Sequence, residues 1–197
     1  MADDAFREPI VTLEQARAFF VAMGCSAFHM SREYPDRYEE FQRLKVPDQI
    51  QAEWRLQQFE ETRGRILKAP ADHRWHLFSS MIAVCDWSKA ALDDLLDTAR
   101  ALLPDLPANE TVLVAESLLA RNALHARSGP VLRAYDQGYP ELAQQLLVVV
   151  GQLLERAAPD TAYMTIERIE AARERMKDTA SLVQRLHRPS RLSRIRP

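Results

Sequence analysis

Residues 88–103, SKAALDDLLDTARALL, decide the fold class. Leu92, Leu95, Leu96, Ala99, Leu102 and Leu103 recur at the three- and four-residue spacing of one helical face, while Asp93, Asp94, Asp97 and Arg100 fall on the other. Ser88 stands where a helix N-cap belongs. Outward from this segment, eleven prolines cut the chain into further pieces of helical length, and no Asn-Gly or Asp-Gly hairpin signal interrupts them. Strict apolar alternation is absent as well. The chain is therefore expected to be all-α, a helical bundle of seven to nine helices organised as two packed sub-bundles.

Toward the N-terminus, Asp72 is the expected cap of a helix over DHRWHLFSSMIAVCDW, and Pro47 is placed to open a helix reaching Leu67. Thr12 with Gln15 three residues on has the form of a capping box ahead of Leu13, Ala16, Phe20 and Met23. Gly24 either ends that helix or lies inside its continuation, and the sequence alone admits both. Toward the C-terminus, the PDLP loop (Pro104 to Pro107) is the clearest internal boundary. Asn109 is the expected cap of a helix to about Arg127, and Pro140 opens a helix through LLVVVGQLL, a run that is apolar all round and expected to be the most buried element of this half. Gly151 within it is expected to permit close helix approach. Asp160 is the expected cap of a final helix to His187, about 42 Å long at 1.5 Å per residue.

Twelve of the fifteen aromatic residues precede Ser88, and the later core is leucine, valine and alanine. The expected organisation is thus an aromatic-rich sub-bundle over 1–104, an aliphatic one over 105–187, and a basic tail over 188–197. No repeat of fixed period is present. A chain of 197 residues can bury a substantial core, and 47% hydrophobic with 27% charged residues is ordinary globular composition. The net charge of −2 gives no overall pull toward nucleic acid or membrane. The two cysteines, Cys25 and Cys85, are no disulfide framework and fit a reducing compartment. MADDAFREPI has no apolar run of the kind a secretory signal needs, and the longest uncharged runs, 18–31 and 142–154, are too short to span a bilayer. A soluble, cytoplasmic protein is expected.

Residues 19–41, FFVAMGCSAFHMSREYPDRYEEF, hold the densest chemistry. Were 24–34 one helix, Cys25, His29 and Glu33 would line one face, and thiolate, imidazole and carboxylate at that spacing can ligate zinc or another transition metal. His73 and His76, one turn apart, are the second candidate source of ligands. Cys25 with His29 is also the one pair spaced for thiol chemistry. Against these stands a simpler expectation of buried histidines, a cysteine packing as a small hydrophobe, and ion pairs among Arg32, Glu33, Asp36 and Arg37. Phe28, Tyr34, Tyr38 and Phe41 are expected chiefly in the core rather than around a pocket. No HExxH, paired CxxC, ExxH repeat or phosphate-binding glycine loop occurs. No motif is specific enough to name a family.

Two further features concern partners. A strict heptad along the final helix places Met176 and Val183 on its seam, widened by Leu182 and Leu186, and this narrow stripe is expected to meet a second subunit or another protein. The tail adds Arg188, Arg191, Arg194 and Arg196 without an acid; removing those four charges takes the formal balance from −2 to −6. The leading expectation is a non-enzymatic interaction or regulatory module, without cofactor or membrane, that binds a protein partner through Met176, Val183, Leu186, Arg188, Arg191 and Arg194. The alternatives are a metal or thiol site at Cys25, His29, Glu33, His73 and His76, and nucleic-acid association through the arginines.

Overall fold

A computed structural model describes residues 9–119, 129–160 and 164–187. Among them are ten helices and no strand: α1 (Leu13–Ala22), α2 (Ala27–Glu33), α3 (Pro35–Arg43), α4 (Asp48–Ile66), α5 (Ala71–Val84), α6 (Lys89–Leu102), α7 (Thr111–Leu118), α8 (Pro130–Asp136), α9 (Pro140–Glu155) and α10 (Ile166–His187). The protein is all-α, with ten helices rather than the seven to nine expected. None of the described helices is long and apolar enough to cross a membrane.

The extra helix comes from the break at Gly24. The amide of Gly24 donates to the Val21 carbonyl at 3.0 Å and that of Cys25 to the Phe20 carbonyl at 2.8 Å, the paired bonds of a Schellman ending. Both residues are left-handed, Gly24 at φ 60° and Cys25 at φ 55°. Glycine adopts that region freely; cysteine does so at a cost that the ending must offset. Ser26 then accepts from the His29 amide and starts α2 afresh. At the other end of α1, Thr12 accepts from the Gln15 amide at 3.2 Å while Gln15 accepts from the Thr12 amide at 3.0 Å, so the expected capping box is formed.

Helix α6 follows its pattern closely. Ser88 Oγ accepts from the Ala91 amide, and Leu92, Leu95, Leu96, Ala99 and Leu102 are buried. Each such leucine contributes about 1.5–3 kcal/mol of burial. The stripe packs on α5, α8 and α9.

Helix α9 holds the later half together, packing on α6, α7, α8 and α10 through Leu142, Ala143, Leu146, Val149, Val150, Leu153 and Leu154. It is not apolar all round. Val148 is exposed beside Gln144, Gln145 and Gln152, so one side faces water. Nor does Gly151 mark a close approach: a Cβ there would meet only the Met176 Sδ, at an ordinary 3.9 Å. The close approach lies at Gly129, where a Cβ would clash with the Leu119 carbonyl oxygen.

The end of α9 also pins the PDLP loop. Arg156 Nη2 donates to the Pro104 and Leu106 carbonyls at 3.2 Å each, and the Ala158 amide donates to the Ala108 carbonyl. This fixes Asn109 and Glu110 at the head of α7. Asn109 does not cap that helix as expected, because its amide donates to Asp160 Oδ2 at 2.7 Å. Asp160 in turn does not cap α10. Its Oδ1 accepts from the Met164 amide, and α10 begins only at Ile166, where Thr165 Oγ1 accepts from the Arg168 amide. The final helix is thus 22 residues, about 33 Å.

Candidate functional site

A cleft of about 790 Å³ opens between α5, α7 and α10. That volume is in the range of ligand sites. Helix α5 presents Trp75, His76 and Ser79, α7 presents Leu113, Glu116 and Ser117, and α10 presents Arg168 and Arg175. Within each helix the spacing is one, three, four or seven residues, which places each set along one face. Asn109, Glu110, Asp160 and Met164 close the end where the PDLP loop is pinned.

Electrostatics inside the cleft are specific. Arg168 grips Glu116 with two nitrogens, Nη2 to Oε2 at 2.6 Å and Nε to Oε1 at 3.4 Å, and Arg175 Nη1 stands 4.0 Å from the same carboxylate. The paired geometry makes the Arg168 contact the strong one. Ser117 donates to the Leu113 carbonyl at 2.8 Å, so in its 2.9 Å contact with Ser79 the Ser79 hydroxyl is the donor. Both hydroxyl protons are therefore committed. The His76 ring stacks on Trp75 with centroids 3.6 Å apart.

Glu110 is the anomaly. It is only 8% exposed, it is the N-cap residue of α7 without making a side-chain cap, and its Oε2 is buried with no hydrogen-bond partner. Burial pushes its carboxyl above the ordinary glutamate range, Asp72 pushes the same way, and His73 opposes them. Such a shift has a definite sign in stability. The folded protein keeps this proton to a higher pH than the unfolded chain, so stability falls as pH rises from the ordinary glutamate value through the raised one. Glu110→Gln is expected to raise the thermal midpoint at pH 7, with the advantage vanishing below about pH 4. An equal gain at both pH values would show that charge is not the cause.

The residues singled out from sequence are placed as follows. Cys25 is buried ahead of α2, in the left-handed turn, and does not share a helical face with His29 and Glu33. Those two form an exposed pair, Nδ1 to Oε1 at 3.2 Å. His73 lies 4.0 Å from Asp72, and His76 lines the cleft. Among the described residues no group of three or more His, Cys, Asp or Glu is gathered in a way that could hold a metal ion. Burial pushes the Cys25 thiol up to about 11 against a lesser pull from Arg55. Cys85 is likewise pushed to about 11 by burial, partly offset by the Trp87 amide. At pH 7 each is thiolate in about one molecule in ten thousand.

The aromatic window divides. Phe41 is core and Tyr38 is partly buried against it, whereas Phe28 is 52% exposed and Tyr34 lies at the surface with its ring edge on Phe19. The α10 stripe is corrected. Val183 is 1% exposed and Met176 packs partly buried beside Gly151 of α9, so this seam is covered by the chain's own helices. A narrow apolar stripe fits an internal neighbour as well as an external one. The Leu186 side chain and Arg188, Arg191 and Arg194 lie outside the described residues.

Glu110, Glu116, Ser79, Ser117, Arg168 and Arg175 were not among the expected site residues. The one visible signal was TVLVAESL, an apolar helix flanked by Glu110 and carrying Glu116 and Ser117 near its end. No family model, curated protein or solved structure matches this chain.

Proposed function

We propose that this chain is a cytoplasmic helical recognition module that binds a segment of another protein in the cleft between α5, α7 and α10. The observation that carries the reading is the arrangement of Arg168 and Arg175 on Glu116 in a cleft that Trp75 and the buried Glu110 also line. Aromatic and arginine side chains around a concave site are the groups that dominate protein interfaces. Recognition is favoured over bond chemistry because the Ser79 and Ser117 protons are both committed to other oxygens, and both thiols are held protonated. In this reading the ten helices form a bundle of two packed sub-bundles, and the cleft lies across the junction near residue 104. The seam at Met176 and Val183 then supports the fold rather than the partner, while the arginines from 188 onward remain available to add affinity for an acidic partner surface.

A photo-reactive amino acid in place of His76, which is exposed on α5, tests this directly in cells. The expected result is a discrete protein adduct that disappears with Arg175→Glu and is not formed from the same probe at the exposed Gln57 on α4. Identical adducts from both positions, or none at 76, would end the reading.

A further inference from the structure

We infer that the cleft admits a basic side chain of the partner, a lysine ammonium or an arginine guanidinium, which docks against Glu110. The inference rests on the recognition reading above and names what that site selects. Its basis is Glu110, a residue only 8% exposed in the wall of the cleft, whose Oε2 is buried and lacks any hydrogen-bond partner. Native proteins seldom leave a buried carboxyl oxygen without a donor. The cleft's own cations do not fill the role. Arg168 is held by Glu116 in a two-point contact, and Arg175 faces the same carboxylate.

The surroundings select the sign of the ligand. From α5, Asp72 adds negative potential at Glu110 and His73 only partly offsets it. Asp160, which accepts from Asn109 and the Met164 amide, lines the same wall. An incoming anion would be drawn instead to Arg168 and Arg175, which share the single Glu116 carboxylate. A cation at the cleft face of Glu110 supplies the opposite charge, and charge-assisted bonds of this kind are about twice as strong as neutral ones. The methylene stem of lysine or arginine can lie along Leu113 and Trp75 on the way in, since such stems pack on apolar surface while the head stays polar.

The test uses the full chain with carbon-13 labelled glutamate. Capped lysine and capped arginine (Nα-acetyl, C-methylamide) are titrated while the Glu110 carboxyl signal is followed, with capped norleucine and capped glutamine as neutral controls. Saturable binding of the basic probes is expected, with the Glu110 titration moving down toward the ordinary glutamate range. The norleucine and glutamine probes are expected to bind at least about tenfold more weakly, and Glu110→Gln to weaken the lysine probe by about the same factor. Equal binding of lysine and norleucine probes, or undiminished lysine binding by Glu110→Gln, overturns the inference. The variant should fold, since it removes only a buried charge, and its circular dichroism checks this. The two readings fail separately. A protein adduct at position 76 that persists with Glu110→Gln at unchanged affinity overturns the cation and leaves the recognition cleft. Tighter binding of spermidine than of capped lysine, with no adduct at 76, overturns the protein source.

Discussion

Replacing Gly129 with alanine is expected to destabilise the protein by about 3 kcal/mol or more. The reason is space, not backbone conformation: Gly129 has φ −65°, which any residue adopts. A Cβ would clash with the Leu119 carbonyl oxygen and stand 2.5 Å from its carbon and 2.7 Å from the Leu118 carbonyl oxygen. All three are backbone atoms, so no rotamer change can relieve the clash. The start of α8 would have to withdraw from the end of α7, and both helices pack on α9 through fully buried Val131, Ala134 and Leu118. For a protein of this size about 3 kcal/mol corresponds to a fall of roughly 6–12 °C in the thermal midpoint. A fall of less than about 2 °C would mean that the two segments are not so closely apposed.

Phe20→Ala is expected to cost about 3–5 kcal/mol. The ring is fully buried, stacked on Phe41 with centroids 5.7 Å apart and tilted against Trp54 at 6.0 Å, with the Arg55 guanidinium 5.1 Å from its centre. Removing it opens a cavity bordered by three helices, α1, α3 and α4, and forfeits two aromatic contacts. Phe28→Ala, in the same sequence window but exposed on α2, should change stability by no more than about 0.5 kcal/mol. Urea unfolding of the two variants side by side reads the contrast. Comparable losses would mean that α2 is packed more deeply than its exposure indicates.

The helices were legible where local chemistry and periodicity agreed. Ser88 with its leucine stripe and Thr12 with Gln15 needed no tertiary information, because a cap and an amphipathic face are both set by residues within two turns. Gly24 was not decidable, since the same residue serves at a helix end and inside a helix. What ended α1 was Gly24 in the left-handed region, followed by a second left-handed residue, Cys25, a type with no sequence preference for that region. Asp160 departs from its expected capping role for a related reason. A short carboxylate that can cap a helix can equally hold a turn, and here Asn109 and the Met164 amide took it. The cleft was the least legible feature. His76 was noticed, but as a metal ligand, and its neighbours come from positions as far apart as Trp75 and Arg175, which no local pattern brings together.

The ion pair that spans the cleft also sets a schedule. Glu116 and Arg168 are 52 positions apart, and at a synthesis rate of about 5–20 residues per second that separation is roughly 3–10 s of translation. Throughout that interval the nascent α7 carries a carboxylate whose counter-charge has not been made, beside an α9 that is itself still emerging. The first two walls of the cleft therefore exist before the third. The third wall, with Arg168 and Arg175, is added only when α10 has left the ribosome and docked, so the complete cleft exists only once the chain has been made at least as far as Arg175.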